Sequence, residues 1–192
     1  MSTGIDMDDL PRPFVTIDLW PAQLRQLRFL ESSARVVRWH TEPVIHRQSV
    51  GEHTYSVMQL ILLLTQGQAS AALLAAALMH DTPERKFGDV PGPTKRLTGL
   101  KRKFDELEAG FMEELGLTLP TQITQEEAEI LKMADMLEGG MFCAFELRRG
   151  NRDIQEGFYN YLTYIHGAPG HTDLSEAIYN QLRKEYVNVF GE

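Results

Sequence analysis

The chain has 192 residues, 43% hydrophobic and 24% charged, which is ordinary globular composition and enough for one domain with a sizeable core. Its formal net charge of −8 disfavours broad binding to a nucleic-acid backbone, yet leaves room for a small anion in a pocket whose charge a metal and a few cations invert. The lone Cys143 excludes an intrachain disulfide, the acidic start MSTGIDMDDLPRPF lacks the basic and apolar regions of a secretory signal, and no apolar run reaches about 18 residues, so a soluble cytoplasmic protein away from membranes is expected.

In chain order, Pro11-Arg12-Pro13 breaks an N-terminal leader over residues 1–20, which is expected to be extended, and residues 21–192 read as one domain. Pro21 opens a helical pattern through Leu24, Leu27 and Leu30. Arg38-Trp39-His40 to Gln48 reads as irregular, with Pro43 as a breaker. A helix entered near Ser49 or Gly51 runs to Leu64, and a second, apolar all round and therefore expected to be buried all round, spans Ser70 to Met79. Asp81 or Thr82 is placed to cap a short helix that has Pro83 at its first position. Gly88-Asp89-Val90-Pro91-Gly92-Pro93 reads as a loop. Thr98–Leu115 is a charged amphipathic helix stopped by Gly116, with Lys101-Arg102-Lys103 on a solvated face. Thr124 with Glu127 forms a capping box for a helix whose apolar positions are Ile130, Met133, Leu137 and Met141. Two further helices begin near Asn151 or Arg152 and at Asp173. With no alternating strand, the fold class is all-α, a single bundle of about six or seven helices.

The chemistry concentrates where the apolar stretch Ala69–Met79 ends in His80-Asp81. A carboxylate at the end of a buried helix is costly unless hydrogen bonds or a cation compensate it. His53, 27 residues before His80, can reach the same cleft if the intervening helix returns antiparallel, and Asp135 interrupts an apolar helix face. Imidazoles mixed with carboxylates suit Zn, Mn, Fe or Co rather than Ca. Taken singly these residues have plain readings: His53 as an ordinary helix histidine, Asp81 as an N-cap, Asp135 as a partly exposed acid. The next loop adds Glu84 in a first helical turn, near enough to meet a water as general base or acid, and Asp89 and Lys95 in a Pro/Gly-stiffened clamp.

The ordered set His53…His80-Asp81…Asp135 resembles that of the HD-domain metal-dependent phosphohydrolases. Arg38-Trp39, Val50-Gly51-Glu52-His53, HDTPE and GDVPGPTK narrow the resemblance to the bacterial 5′-deoxynucleotidases of the YfbR type and their phage relatives, over about Arg35 to Leu147. The resemblance implies that His53, His80, Asp81 and Asp135 bind one divalent transition metal (Co2+, Mn2+ or Zn2+). It implies that Glu84 positions or deprotonates the attacking water and that Asp89 orients substrate or protonates the leaving oxygen. Arg38 would contact phosphate, Trp39 would line the sugar or base pocket, and Lys95 is a weaker phosphate candidate. It also implies a small-molecule deoxynucleotide as substrate and a homo-oligomer, dimer or higher.

The expected activity is a 5′-deoxynucleotidase acting on deoxynucleoside monophosphates. His40 and the stretch Glu42-Pro43-Val44-Ile45-His46 depart from the bacterial pattern beside the base and phosphates, which leaves open a triphosphohydrolase of the phage dATP type. His40 and His46 read as rim or surface histidines rather than additional ligands. A non-catalytic nucleotide-binding protein fits less well, because every ligand and Glu84 are present. A guanosine-alarmone hydrolase would carry two adjacent acids where Pro83-Glu84-Arg85 has one.

Overall fold

In the computed structural model, residues 21–91, 94, 99–117 and 123–191 are described. The expectations for the leader over residues 1–20, and for the helix start at Thr98, lie outside them. Among the described residues the architecture is all-α: α1 (Ala22–Ser33), α2 (Val50–Leu64), α3 (Ala71–Met79), the single turn α4 (Glu84–Phe87), α5 (Lys101–Glu114), α6 (Gln125–Arg148), α7 (Gln155–Gly167) and α8 (Asp173–Phe190). The only extended pairing among them is an antiparallel bridge between Val37 and Ser49.

Local chemistry accounts for the helix starts. Ser49 and Glu52 close a capping box on α2, Thr124 and Glu127 one on α6, and Thr172 and Ser175 one on α8, so that side chains satisfy amides that the first turn leaves unpaired. The long α6 is the spine. It packs on α2, α7 and α8, and around it Val57, Ile61, Leu73, Ala77, Leu137, Ala144, Phe158 and Ile165 form the core.

Three expectations change on folding. Neither Asp81 nor Thr82 caps α4: its N-cap is Pro83 and carries no side-chain cap bond, because the Asp81 carboxylate is drawn to two histidines instead. The segment before His80 is not buried all round. Of α3 only Leu73 and Ala77 are buried, and Leu78 is 54% exposed, because this short helix packs by one side on α2 and α6. Met141 is exposed as well. The core face of α6 runs Met133, Leu137, Gly140, Ala144 and Leu147, following the 3.6-residue repeat, which two successive steps of four overshoot. Lys101, Arg102 and Lys103 are solvated as expected, the first two paired with Asp105 and Glu106.

Candidate metal centre

Four groups converge. His53 enters from the first turn of α2, His80 from the C-cap of α3, Asp81 from the turn that follows, and Asp135 from α6. His53 Nε2 lies 3.2 Å from His80 Nε2, 3.3 Å from Asp81 Oδ2 and 3.5 Å from Asp135 Oδ1, and His80 Nε2 lies 3.4 Å from Asp81 Oδ2.

The tautomers follow from the outer ring nitrogens. His53 Nδ1 faces Glu138 Oε2 at 2.6 Å, and His80 Nδ1 faces the Ala77 carbonyl at 2.6 Å; both partners accept only, so each Nδ1 carries the proton. In the neutral imidazoles, two Nε2 lone pairs and two carboxylates then point at one another. That arrangement calls for a cation, and ligating atoms of His53, His80 and Asp135 lie within 4.8 Å of one another. The donor set and its spacing fit a divalent transition metal held by imidazole and carboxylate.

The electrostatics agree. Burial would raise the Asp81 carboxyl, but His80, His53 and Arg38 hold it well below its usual range. Burial likewise opposes ionisation of Asp135, which Lys132, His53 and His80 overcome; Lys132 Nζ sits 2.8 Å from Asp135 Oδ2. Burial and Arg38 pull His53 down, yet the Asp81 and Glu138 carboxylates raise it to about 9, so without a cation this nest of acids draws a proton onto Nε2, the place a metal would take.

Beside the centre lies the Arg38–Gln48 strap, tied to the chain around α2 by Arg38 N–H to Gln48 O at 2.9 Å and Val50 N–H to Val36 O at 2.8 Å. Arg38 is buried at 8% exposure, with Nη1 3.5 Å from Glu138 Oε2. Burial opposes its charge, and Asp81, Tyr161, Glu138 and Asp135 more than restore it, so its pKa is raised. Its Nε has no hydrogen-bond partner among the described residues, leaving a donor for an anion. Trp39 adopts the left-handed conformation at φ 60°, unusual for a bulky residue, and is held there by Asp89 Oδ2, which accepts its backbone N–H at 3.1 Å. Its ring stacks on Phe142 with centroids 4.9 Å apart, and its Nε1–H donates to Gln48 Oε1 at 3.2 Å. His40 is exposed, 3.8 Å from Asp89, and His46 pairs with Glu52 at 3.1 Å, so both sit outside the central cluster. Glu84 occupies the first turn of α4, its backbone N–H donating to the Asp81 carbonyl at 3.1 Å. Lys95 lies outside the described residues.

Three residues of this neighbourhood escaped the sequence reading. Glu138 binds His53, Gln48 and Arg38; its position three residues after Asp135, on the same helix face, was the available signal. Glu146, fully buried, accepts the backbone N–H groups of Ile45 and His46 at 2.6 and 2.8 Å and the Asn151 amide at 2.8 Å, pinning the far end of the strap. Tyr161 packs beside Trp39 at 5.6 Å between ring centroids. A separate cleft of about 450 Å³ is lined by Thr65, Ser70, Glu127 and His171 and by none of the ligand candidates. Ser70 and Glu127 bond each other there and serve as the caps of α3 and α6.

An all-helical bundle with a His, His-Asp, Asp centre beside a buried arginine is the architecture of an HD phosphohydrolase. A model of the family described as 5′-deoxynucleotidase YfbR-like matches residues 26–179, and the chain belongs to that family. It is 30% identical to a dATP triphosphohydrolase of Salmonella phage PMBT28, over 81% of this chain and 86% of that one. It is 27% identical to a 5′-deoxynucleotidase of Vibrio vulnificus strain YJ016, over 62% of this chain and 73% of that one. Among solved structures, the HD phosphohydrolase of cyanophage S-2L, bound to dA and one catalytic Zn2+ ion, shares the fold with a TM-score of 0.56 at 18% identity, covering 84% of this chain and 94% of that one. Members of this class hydrolyse phosphate esters, and no helix among the described residues is long and apolar enough to cross a membrane.

Proposed function

We propose that this chain is a metal-dependent 5′-deoxynucleotidase that removes the 5′-phosphate of 2′-deoxynucleoside monophosphates. One observation carries the reading: two imidazole lone pairs, 3.2 Å apart and fixed by their outer hydrogen bonds, face two carboxylates beside a buried arginine with an uncommitted N–H. His53, His80, Asp81 and Asp135 would hold the cation. When bound, it supplies Lewis acidity toward water and toward the phosphoryl oxygens.

The chain's own residues do the rest. Arg38 binds a phosphoryl oxygen and balances its charge, with Glu138 and Gln48 fixing the guanidinium end of the strap. Glu84, in the turn next to Asp81, orients the attacking water and takes its proton. Asp89 holds Trp39 in its left-handed conformation, so that the indole forms a wall for the sugar. A homo-oligomer and a cytoplasmic location belong to the same proposal by resemblance to the family.

The second reading, attack on the α-phosphate of a deoxynucleoside triphosphate with release of triphosphate, is favoured by the phage relative, which is matched at higher identity and over more of the chain than the bacterial one. Purified protein supplied with Mn2+ or Co2+ and a panel of dNMPs and dNTPs decides between them. Inorganic phosphate from dNMPs supports the first reading, and triphosphate from dNTPs with inert dNMPs overturns it.

A further inference from the structure

Gly139 lies on α6 one turn beyond Asp135, and α6 supplies both Asp135 to the metal centre and the Phe142 ring on which Trp39 stacks. A helix-interior glycine costs roughly 1 kcal/mol relative to alanine, and here two stand in succession, Gly139 and Gly140. The first has a specific reason. A Cβ at Gly139 would fall 2.1 Å from Cε1 and 2.3 Å from Cζ of Tyr161, far inside any permitted contact. The bare backbone at Gly139 therefore admits the Tyr161 ring from α7, whose Cε1–Cζ edge packs on α6 four residues beyond Asp135. Tyr161 retains partial exposure, whereas Leu162 and Ile165 of the same helix are buried. Its ring centroid is 5.6 Å from that of Trp39, which closes the sugar side of the site.

A purely packing contact here could have used alanine opposite a smaller ring or an aliphatic side chain. The combination present trades helix stability for a phenol set beside the indole wall, against the helix that carries Asp135. Resting on the deoxynucleotidase reading, we infer that Tyr161 is a specificity-determining residue whose hydroxyl donates a hydrogen bond to the substrate sugar. In a 2′-deoxynucleotide the 3′-hydroxyl is the only free sugar hydroxyl, so that oxygen is the acceptor. Burial, aided by Asp135, Cys143 and Glu138 and opposed by Arg38, pushes the phenol pKa far up, which keeps it a neutral O–H donor throughout the working pH range.

The test pairs Tyr161→Phe with loss of the 3′-hydroxyl. The metal-loaded wild type should bind a 2′-deoxynucleoside about five- to ten-fold more tightly than its 2′,3′-dideoxy counterpart, as calorimetry reads without turnover, and kcat/KM for the corresponding monophosphates should show the same ratio. Tyr161→Phe keeps the ring on Gly139, so the melting temperature should be unchanged while the ratio collapses toward one. Gly139→Ala should expel the ring and erase the same discrimination, with added loss of stability. A ratio that stays at the wild-type value in Tyr161→Phe overturns the inference, as does a wild type that binds both nucleosides equally. A wild type that binds with the expected ratio but hydrolyses no nucleotide instead overturns the deoxynucleotidase reading and leaves the Tyr161 contact standing.

Discussion

Glu138 Oε2 accepts the His53 Nδ1–H at 2.6 Å across the α2–α6 interface, so a ligand candidate on one helix is oriented by an acid on another. The same carboxylate takes the Gln48 amide at 2.6 Å on its other oxygen and lies 3.5 Å from Arg38. One buried side chain thus couples the metal centre to the strap proposed to bind phosphate.

Glu138→Gln is therefore expected to weaken metal binding without touching the metal. An outer carboxylate on a ligand histidine is worth about 10–100-fold in affinity or activity, and a fall of that size should appear in competition with a chromogenic chelator. Affinity equal to wild type would show that Glu138 matters only to packing.

Asp81→Ala and Glu84→Ala should separate holding the metal from using it. The first removes a carboxylate that both histidines face, and bound metal and turnover should disappear together. The second should retain one metal per chain by elemental analysis and lose roughly 10²–10⁴ in rate, the span of a positioned proton-transfer group. Full activity in Asp81→Ala would refute the site.

Metal removal should also be visible as stability. A cation present at about 100 times its Kd adds about 2.7 kcal/mol, or roughly 5–10 °C in melting temperature for a domain of this size. Dialysis against a chelator should lower the wild-type Tm by that amount and leave Asp81→Ala unmoved, as differential scanning calorimetry would record.

Asp89→Ala should release the Trp39 backbone from its left-handed conformation. The lost charge-assisted bond is expected to cost about 1–2 kcal/mol in urea denaturation, with faster amide exchange at Trp39 and a raised KM. Asp89→Asn keeps an acceptor oxygen and should recover most of the stability.

Glu146 sets a pH dependence. Burial would raise its carboxyl, but the Asn151 amide and the Ile45 and His46 N–H groups outweigh that and hold it below the usual range. The folded pKa lies below the unfolded one, so its stabilisation is complete above the unfolded carboxyl pKa of about 4.3 and is lost as pH falls through the folded value. Glu146→Gln should be clearly less stable than wild type at neutral pH, and the gap should narrow steadily below about pH 4. A gap independent of pH would mean that the charge on Glu146 is not what pins the strap.

The helices, and the residues proposed as ligands, could be picked out in the linear chain because their signals are local. Capping boxes such as Thr124/Glu127 and stops such as Gly116 act within one turn, and His80-Asp81 at the end of an apolar run announces a polar need by itself. What folding decided lies between elements. α3 became a partly exposed edge helix because its neighbours cover one side only, and Asp81 left its expected capping role for the histidines. Glu138 and Glu146 look like ordinary helix acids until α6 carries them against His53 and the strap, some 85 and 100 residues away in sequence. Gly139 reads as a weak point in a helix until Tyr161 is seen to occupy the space its side chain would fill. The sequence by itself determined which groups could hold a cation. Only the tertiary structure decided how they are oriented and what stands beside them, because hydrogen-bond partners and excluded volume depend on which helix faces meet.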